Sequence, residues 1–196
     1  MHGVFLDRGS LDCGDLDLSA LAAALDRFDD HAATAPGDVA ARIAGAEVVI
    51  VNKVVLDAAA IAGAGSLRLV CVAATGTNNV DLAAARARGV TVVNCRGYGT
   101  PAVAQHAILL MLALATNFLA YQRDMAAGAW PRAAQFCLLG HPIRELAGKV
   151  LGIVGWGELG QGTARLAAAF AMDVRVAQLP GRPAAAGRVP LAELLG

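Results

Sequence analysis

The sequence has few aromatic residues and no excess charge of either sign. Aromatic side chains make up 5% of the 196 residues, and 16 Lys and Arg residues are balanced by 16 Asp and Glu residues. A protein that tracks a phosphate backbone normally carries a basic excess, and one that binds single strands uses aromatic platforms. We therefore expect no nucleic-acid partner.

Cysteine is also scarce, and its spacing excludes two kinds of scaffold. The four cysteines, at positions 13, 71, 95 and 137, form no C-x-x-C pair. We therefore expect neither a disulfide framework nor a metal site, and we expect the thiols to act as small hydrophobic groups in a reducing compartment. The N-terminus lacks a basic region followed by an apolar run, so no secretory signal is evident and a cytoplasmic location is predicted.

No apolar run is long enough for a bilayer. The stretch Gly97–Gln122 carries no Asp, Glu, Lys or Arg, but its uninterrupted apolar part is only Ala107–Ala115. A span needs about 20 apolar residues. The stretch therefore predicts a core or interface helix and no membrane contact.

What the sequence does contain is a repeating alternation of apolar, strand-like runs and Ala-rich stretches. The predicted strands of the first half are Val4–Leu6, Glu47–Val51, Leu67–Ala73 and Val90–Asn94. The predicted helices between them are Leu18–Phe28, Val39–Ile43, Ala58–Ala64 and Asp81–Arg88, with Asp38 as the side-chain cap of the second. This rhythm predicts an α/β fold with a mostly parallel sheet.

The second half begins with a long predicted helix and then returns to strands. The helix starts near Pro101 and is expected to run to about Tyr121. After a polar linker come the expected strand Val150–Val154, a helix from about Leu159 to Ala171, a strand Val174–Leu179 and a helical fragment Leu191–Leu195. Only two strands are predicted after the linker.

A glycine motif lies between the first of these strands and its helix. Residues Gly155-Trp156-Gly157-Glu158-Leu159-Gly160 read G-x-G-x-x-G. Gly155 would permit a tight turn, Gly157 would let a pyrophosphate approach the backbone, and Gly160 would let the helix pack on the strand. The free amides of the helix start favour an anion. The motif predicts dinucleotide binding, with a purely structural glycine turn as the alternative.

The end of the next strand bears on which dinucleotide binds. A carboxylate usually occupies this place and bonds the adenosine ribose, but here the position is Gln178. Asp173 precedes the strand and so lies at the wrong end. A 2′-phosphate would not be repelled, and Arg182 can pair with it, although a solvated loop charge is the alternative for this arginine. NAD and NADP both remain open.

These residues together resemble a known family. The glycine motif, the segments Thr75–Asp81 and Gly89–Asn94, and the sequence Val103-Ala104-Gln105-His106 are similar to those of the D-isomer-specific 2-hydroxyacid dehydrogenases. The segment Gln178–Pro183 looks like the bacterial glycerate dehydrogenase (hydroxypyruvate reductase) branch. The resemblance extends over essentially the whole chain.

The resemblance implies two α/β domains and a reaction. Residues 1–99 would form a flavodoxin-like substrate domain that lacks its C-terminal completion, and residues 100–196 would hold the long interdomain helix and the start of an incomplete Rossmann domain for NAD or NADP. Active members are usually homodimers that move a hydride between a nicotinamide and a small 2-oxo or 2-hydroxy acid. The implied site residues are Thr75 and Gly76 for the substrate carboxylate, Lys53 as an added cation, Val103 beside the nicotinamide, and Gly155, Gly157, Glu158, Leu159, Gly160, Gln178 and Arg182 for the cofactor.

The family's catalytic Arg, Glu and His have no counterpart before Gly196. The four histidines present, at positions 2, 31, 106 and 141, are expected to be structural or solvated. We therefore expect an N-terminal piece of a dehydrogenase of roughly 300 residues or more, without turnover on its own. The alternatives are a non-catalytic regulatory protein that binds a dinucleotide on the same scaffold, and a degenerate polypeptide without function.

Overall fold

The computed structural model describes all residues from Met1 to Gly196. The chain divides into two compact units, Met1–Arg96 and Gly97–Gly196. Each unit has its own sheet, so each is described by itself.

The first unit is built on a five-stranded parallel sheet. Its strands are β1 (His2–Phe5), β2 (Arg27–Asp30), β3 (Val48–Val51), β4 (Leu69–Val72) and β5 (Thr91–Asn94), in the spatial order β2-β1-β3-β4-β5. Its helices are α1 (Ser19–Ala23), α2 (Val39–Ile43), α3 (Ala58–Gly63) and α4 (Leu82–Ala87). This is the flavodoxin-like order. All strands are parallel, and the order in which successive strands are added to the sheet reverses between β1 and β3.

The core of this unit forms where the apolar strands meet the Ala-rich helices. All four residues of β3 are buried, as expected for a central parallel strand covered on both faces. The largest fully buried side chains are Leu6, Ile43, Leu56, Ile61, Val4, Val49, Val51, Val70 and Val72. The sheet is therefore held by aliphatic side chains of β1, β3 and β4 together with α2 and α3.

The segment predicted as one helix, Leu18–Phe28, is wrong in its second half. Helix α1 ends at Ala23, and Arg27–Asp30 form β2, which pairs with β1 at the sheet edge. The sequence of this strand is Arg-Phe-Asp-Asp, which lacks the apolar alternation that predicts a strand. It is held by backbone pairing with β1 and by the contact of Asp29 with His2 on β1, in which Oδ2 and Nε2 are 2.8 Å apart.

The predicted cap at Asp38 is also wrong. Its side chain makes no capping hydrogen bond, because a 3-10 turn, Pro36–Asp38, already leads into α2. Side-chain caps occur instead at Asp57 and Asp81, whose carboxylates accept hydrogen bonds from the N–H groups of Ala60 and Ala84 at 2.8 and 2.9 Å. Both residues have the extended backbone that a capping side chain requires.

The second unit combines a helical segment with a three-stranded parallel sheet. The elements are α5 (Thr100–Ala115), α6 (Phe118–Ala126), β6 (Val150–Ile153), α7 (Glu158–Ala169), β7 (Asp173–Gln178), β8 (Arg188–Pro190) and α8 (Leu191–Leu195), with the strands in the order β6-β7-β8. The sequence predicted only two strands in this unit. The third strand, β8, was missed because it has three residues and ends in a proline.

The single long helix predicted to reach Tyr121 is in fact two helices. The backbone of Asn117 is left-handed, with φ of 50°, and this breaks the helix between Ala115 and Phe118. None of the helices, taken alone, combines the length and the hydropathy that a bilayer span needs. Helices α5 and α6 reach the needed length and hydropathy only as a pair, and they bend by 65° at the break.

Candidate functional site

The glycine motif lies at a strand-to-helix junction of the second unit. Strand β6 ends at Ile153 and α7 begins at Glu158, so the motif forms the turn and the first helical residues. Gly155 has φ of 103°, a left-handed conformation that side chains rarely adopt. The backbone at this point therefore requires glycine.

The other two glycines of the motif have different surroundings. A Cβ on Gly160 would overlap the carbonyl oxygen of Gly155 and lie 3.2 Å from Cγ2 of Ile153. A Cβ on Gly157 would meet no atom within 4 Å. The turn is thus closely packed on the side of the strand and open on the side of the solvent.

The start of α7 offers unpaired amide donors to that open side. Gly157 is the N-terminal cap residue, and no side chain caps this helix. The first N–H groups of a helix have no partner inside it, and the positive end of the helix dipole adds to their attraction for an anion. Glu158 and Leu159, the first two residues of α7, are exposed, as is the backbone of the turn. The geometry fits a pyrophosphate, which needs backbone donors and no Cβ in its way.

The long helix α5 packs on α7 close to the turn. A Cβ on Gly162 would lie 2.8 Å from Cγ2 of Thr100 and 3.4 Å from Cβ of Ala104, so the two helices touch at a glycine. Val103 lies in the same turn of α5 and is 46% exposed. An apolar side chain is therefore left uncovered beside the packed contact.

At the end of β7, Gln178 is the last residue of the strand, and its side chain turns into the following loop. Its Nε2 donates to the carbonyl oxygens of Arg182 and Pro183 at 3.1 and 3.2 Å, and its Oε1 accepts from the N–H of Ala185 at 3.2 Å. The amide is used to close the loop. Arg182 is exposed on that loop and forms no ion pair.

In the first unit, Thr75 and Gly76 form an exposed loop after β4. The N–H groups of both residues have no hydrogen-bond partner within the chain. The carbonyl oxygen of Thr75 accepts a hydrogen bond from Nδ2 of Asn94 at 2.6 Å, which fixes the loop to the end of β5. Two free, adjacent backbone donors on an anchored loop are suited to a carboxylate.

Lys53 lies on a turn that a buried carboxylate holds in place. Asp7, 5% exposed, accepts hydrogen bonds from the N–H groups of Asn52, Lys53 and Val54 at 2.8, 2.6 and 3.0 Å. Nδ2 of Asn79 donates to the carbonyl oxygen of Val54 at 3.0 Å. The turn follows β3, next to the point in the sheet where the order of successive strands reverses. Lys53 lines a cleft there of about 910 Å³.

Sequence reasoning missed the residues that build these two loops. Asp7, Asn79 and Asn94 bind the backbone of the candidate site without being candidates themselves. Their signal in the sequence is weak: Asp7 and Asn94 are polar residues at or just after the end of an apolar strand. In a parallel sheet all such ends meet at one edge.

The histidines do not gather with the predicted site residues. Nε2 of His2 lies 2.8 Å from Oδ2 of Asp29, and Nε2 of His141 lies 2.9 Å from Oδ2 of Asp124. Arg27, and after it His2, hold the pKa of Asp29 below its usual range. His31 follows β2, and His106 is exposed on α5. No cluster of three His, Cys, Asp or Glu side chains that could hold a metal ion occurs in Met1–Gly196.

The chain is similar to a known protein family and to individual relatives within it. The family model of the D-isomer specific 2-hydroxyacid dehydrogenase catalytic domain matches residues 17–182. The glycerate dehydrogenase of Methylorubrum extorquens is 39% identical over 172 residues, which cover 87% of this chain and 54% of that protein. The hydroxypyruvate reductase of Blautia hydrogenotrophica is 35% identical over 176 residues, which cover 89% of this chain and 55% of that protein.

A solved structure supports the same relationship. The NAD-dependent formate dehydrogenase of Staphylococcus aureus in complex with NAD superposes with a TM-score of 0.74 at 25% identity, over 100% of this chain and 62% of that one. The chain spans a little over half the length of the two curated relatives named above.

Proposed function

The chain belongs to the D-isomer specific 2-hydroxyacid dehydrogenase family, and on that premise we propose that it forms part of an oxidoreductase that transfers a hydride between a nicotinamide dinucleotide and a small 2-oxo acid such as hydroxypyruvate or glyoxylate. One observation carries the proposal: the glycine turn at Gly155–Gly160 is open to solvent at a strand-to-helix junction, where a Cβ on Gly157 would meet nothing. That is the shape a pyrophosphate requires.

The cofactor is NAD or NADP, and when bound it supplies or accepts the hydride. The names of the relatives support this reaction, since they are a glycerate dehydrogenase and a hydroxypyruvate reductase. The NAD complex of the structural relative supports the cofactor. In the second unit, Gly155, Gly157, Glu158, Leu159 and Gly160 would hold the pyrophosphate through backbone N–H groups, which favour an anion at a helix start.

The first unit would bind the acid substrate, and residues 100–196 would bind the cofactor. The free N–H groups of Thr75 and Gly76 would hold the carboxylate, while Lys53 adds a positive charge at the turn fixed by Asp7. Val103 would contact the nicotinamide ring with its exposed side chain. The proposed role of these residues is to bind and orient the substrate and the cofactor.

Proton transfer is the part of the reaction that we propose these 196 residues leave unsupplied. Reduction of a carbonyl requires a proton donor at the carbonyl oxygen. Two of the histidines are engaged with Asp29 and Asp124, and none lies on the loop of Thr75 and Gly76 or on the glycine turn. We therefore propose that these residues bind ligands without turnover.

Isothermal titration calorimetry of the 196-residue chain with NADH and NADPH tests the binding part. We expect saturable binding of at least one dinucleotide, and a loss of about tenfold or more in affinity in Gly157→Ala. Following NADH and NADPH absorbance with hydroxypyruvate or glyoxylate present tests the second part, and no turnover is expected. Failure of both dinucleotides to bind would refute the proposed function, whereas turnover would refute only the proposed inactivity.

A second copy of the chain is the proposed partner of the helical segment. Large apolar side chains of the second unit are exposed there: Leu114 79%, Phe118 56%, Leu119 63%, Phe136 91% and Leu139 79%. Leu114, Phe118 and Leu119 are close in sequence on α5 and α6, and large exposed apolar patches mark interaction sites. Light scattering coupled to size exclusion should show a dimer that Phe118→Asp converts to monomer, and a wild-type monomer at high micromolar concentration would contradict the proposal.

A further inference from the structure

A groove lies in the second unit at the end of β6 opposite the glycine turn. The last turns of α5 and the segment 142–149 enclose it, with a volume of about 790 Å³. Lys149 lines the groove and directly precedes β6, so about 16 Å of extended strand separates it from Val154 beside the turn. Ligand sites have volumes of roughly 300–1,000 Å³. This basal groove is therefore a candidate ligand site that is separate from the glycine turn.

Hydrogen bonds hold the two walls of the basal groove together. The N–H of Arg144 donates to the carbonyl oxygen of Ala115, the last residue of α5, at 2.8 Å. Nδ2 of Asn117 donates to the carbonyl oxygen of Pro142 at 2.5 Å. Both bonds join the segment 142–149 to the end of α5. The groove is thus preformed, and a ligand would lose little affinity to the cost of ordering it.

The floor of the basal groove is aliphatic. Met111, Leu114 and Ala115 line it at spacings of three and four residues along α5, so they share one face of the helix. Leu146 lines it from the segment 142–149, and no aromatic side chain takes part. Aromatic rings provide the flat faces on which ligand rings pack. The lining therefore suits a hydrocarbon chain better than a ring system.

The charged side chains of the basal groove are not paired with one another or with other residues. Arg144, Glu145 and Lys149 line the groove and are exposed. None of the three forms an ion pair in the chain. Two cations and one anion leave a single positive charge at the groove. The matching ligand carries one negative charge.

We propose that the basal groove binds an aliphatic monocarboxylate, with its chain against Met111, Leu114 and Leu146 and its carboxylate held by Arg144 and Lys149. Burial of the chain supplies most of the affinity, in proportion to the apolar area removed from water, and the cations select the charged head. The glycine turn takes no part, so the inference does not rest on the proposed dinucleotide binding. Because Leu114 also belongs to the surface proposed for a second copy, that copy is the competing occupant.

Calorimetric titration of the whole chain with hexanoate, octanoate and decanoate at neutral pH tests the inference. We expect one decanoate per chain, and an affinity that rises about two- to fourfold for each added CH₂ group. Decyltrimethylammonium has a chain of the same length and the opposite charge, and it should bind about fivefold or more weakly than decanoate. Equal affinity for these two amphiphiles, or an affinity that does not change with chain length, would overturn the inference.

Three single substitutions locate the head of the ligand. Arg144→Ala and Lys149→Ala should each lower the affinity for decanoate about two- to fivefold, the range expected of exposed ion pairs. The matched control is Arg165→Ala, which removes an exposed arginine of α7 that does not line the groove, and it should leave the affinity unchanged. A loss in Arg165→Ala as large as in Arg144→Ala would show that net charge is responsible, and would overturn the assignment.

Two further variants locate the chain of the ligand and exclude the second copy. Leu114 is 79% exposed, so Leu114→Ala should leave the fold intact and lower the affinity for decanoate about twofold or more. An unchanged affinity would overturn the placement of the chain. Phe118→Asp, designed to separate two copies, should bind decanoate as the wild type does. Binding by Phe118→Asp alone would show that a second copy fills the groove, and would overturn the inference.

Discussion

A Cβ atom on Gly160 would overlap the carbonyl oxygen of Gly155, so these two glycines bring the start of α7 directly against the turn that precedes it. The obstructing atom belongs to the backbone and cannot rotate away. Gly160→Ala should therefore lower the free energy of unfolding by about 1–3 kcal/mol, the usual cost of overpacking. Urea unfolding followed by circular dichroism measures it, and an unchanged midpoint would show that the helix can shift without cost.

Gly157→Ala is the matched substitution on the open side of the same turn. Nothing lies within 4 Å of the added methyl group, and the backbone at Gly157, with φ of −81°, accepts any residue. The free energy of unfolding should change by only a few tenths of a kcal/mol, which is about the difference between Gly and Ala as N-terminal cap residues. Affinity for the dinucleotide should nevertheless fall. Destabilisation as large as in Gly160→Ala would contradict this division between a packing glycine and a binding glycine.

Asp7→Asn tests the carboxylate that holds the turn of Lys53. The carboxylate accepts three backbone N–H groups, and an amide in its place offers one acceptor oxygen and a donor that meets another donor. The free energy of unfolding should fall by about 2 kcal/mol, since buried donors lose their partner.

Asp38→Asn is the control for that measurement, because the Asp38 side chain is exposed and makes no cap bond. Its unfolding midpoint in urea should equal that of the wild type. An Asp7→Asn chain as stable as Asp38→Asn would mean that the turn of Asn52–Val54 holds its shape without the carboxylate.

Acid stability should depend on Asp12. Hydrogen bonds from the N–H groups of Leu16 and Gly14, with a further contribution from Arg8, hold the pKa of its carboxyl below the usual range. A carboxyl with a lowered pKa in the folded state stabilises the fold above its unfolded pKa of about 4, and this contribution is lost as the pH falls through the folded pKa. The wild type should therefore exceed Asp12→Asn in stability at neutral pH.

The two unfolding midpoints should converge as the solution is acidified below about pH 4, where the carboxyl begins to take up its proton. Urea titrations at a series of pH values, read by circular dichroism, give the difference directly. A difference that stays constant from neutral pH to acid would show that Asp12 acts through something other than its charge.

The sequence by itself determined the features whose cause is local. Strands β1, β3, β4 and β5 follow apolar runs, Gly155–Gly160 is a turn of defined spacing, and α8 is a short Leu-rich stretch. Each of these could be recognised from neighbouring residues alone. The parallel α/β class and the family followed from the order of these signals.

Only the tertiary structure decided features that depend on residues distant in the chain. Strand β2 has the sequence Arg-Phe-Asp-Asp and becomes a strand because β1 offers it an edge to pair with. The helix break at Asn117 is stabilised from a distance, by the hydrogen bond that its Nδ2 donates to the carbonyl oxygen of Pro142 at 2.5 Å. Two contacts near β7 likewise depend on how the strands pair. Gln178 hydrogen-bonds within the loop that follows it, and Arg188 reaches the ring of Trp156. The spacing of residues along the sequence does not encode this pairing.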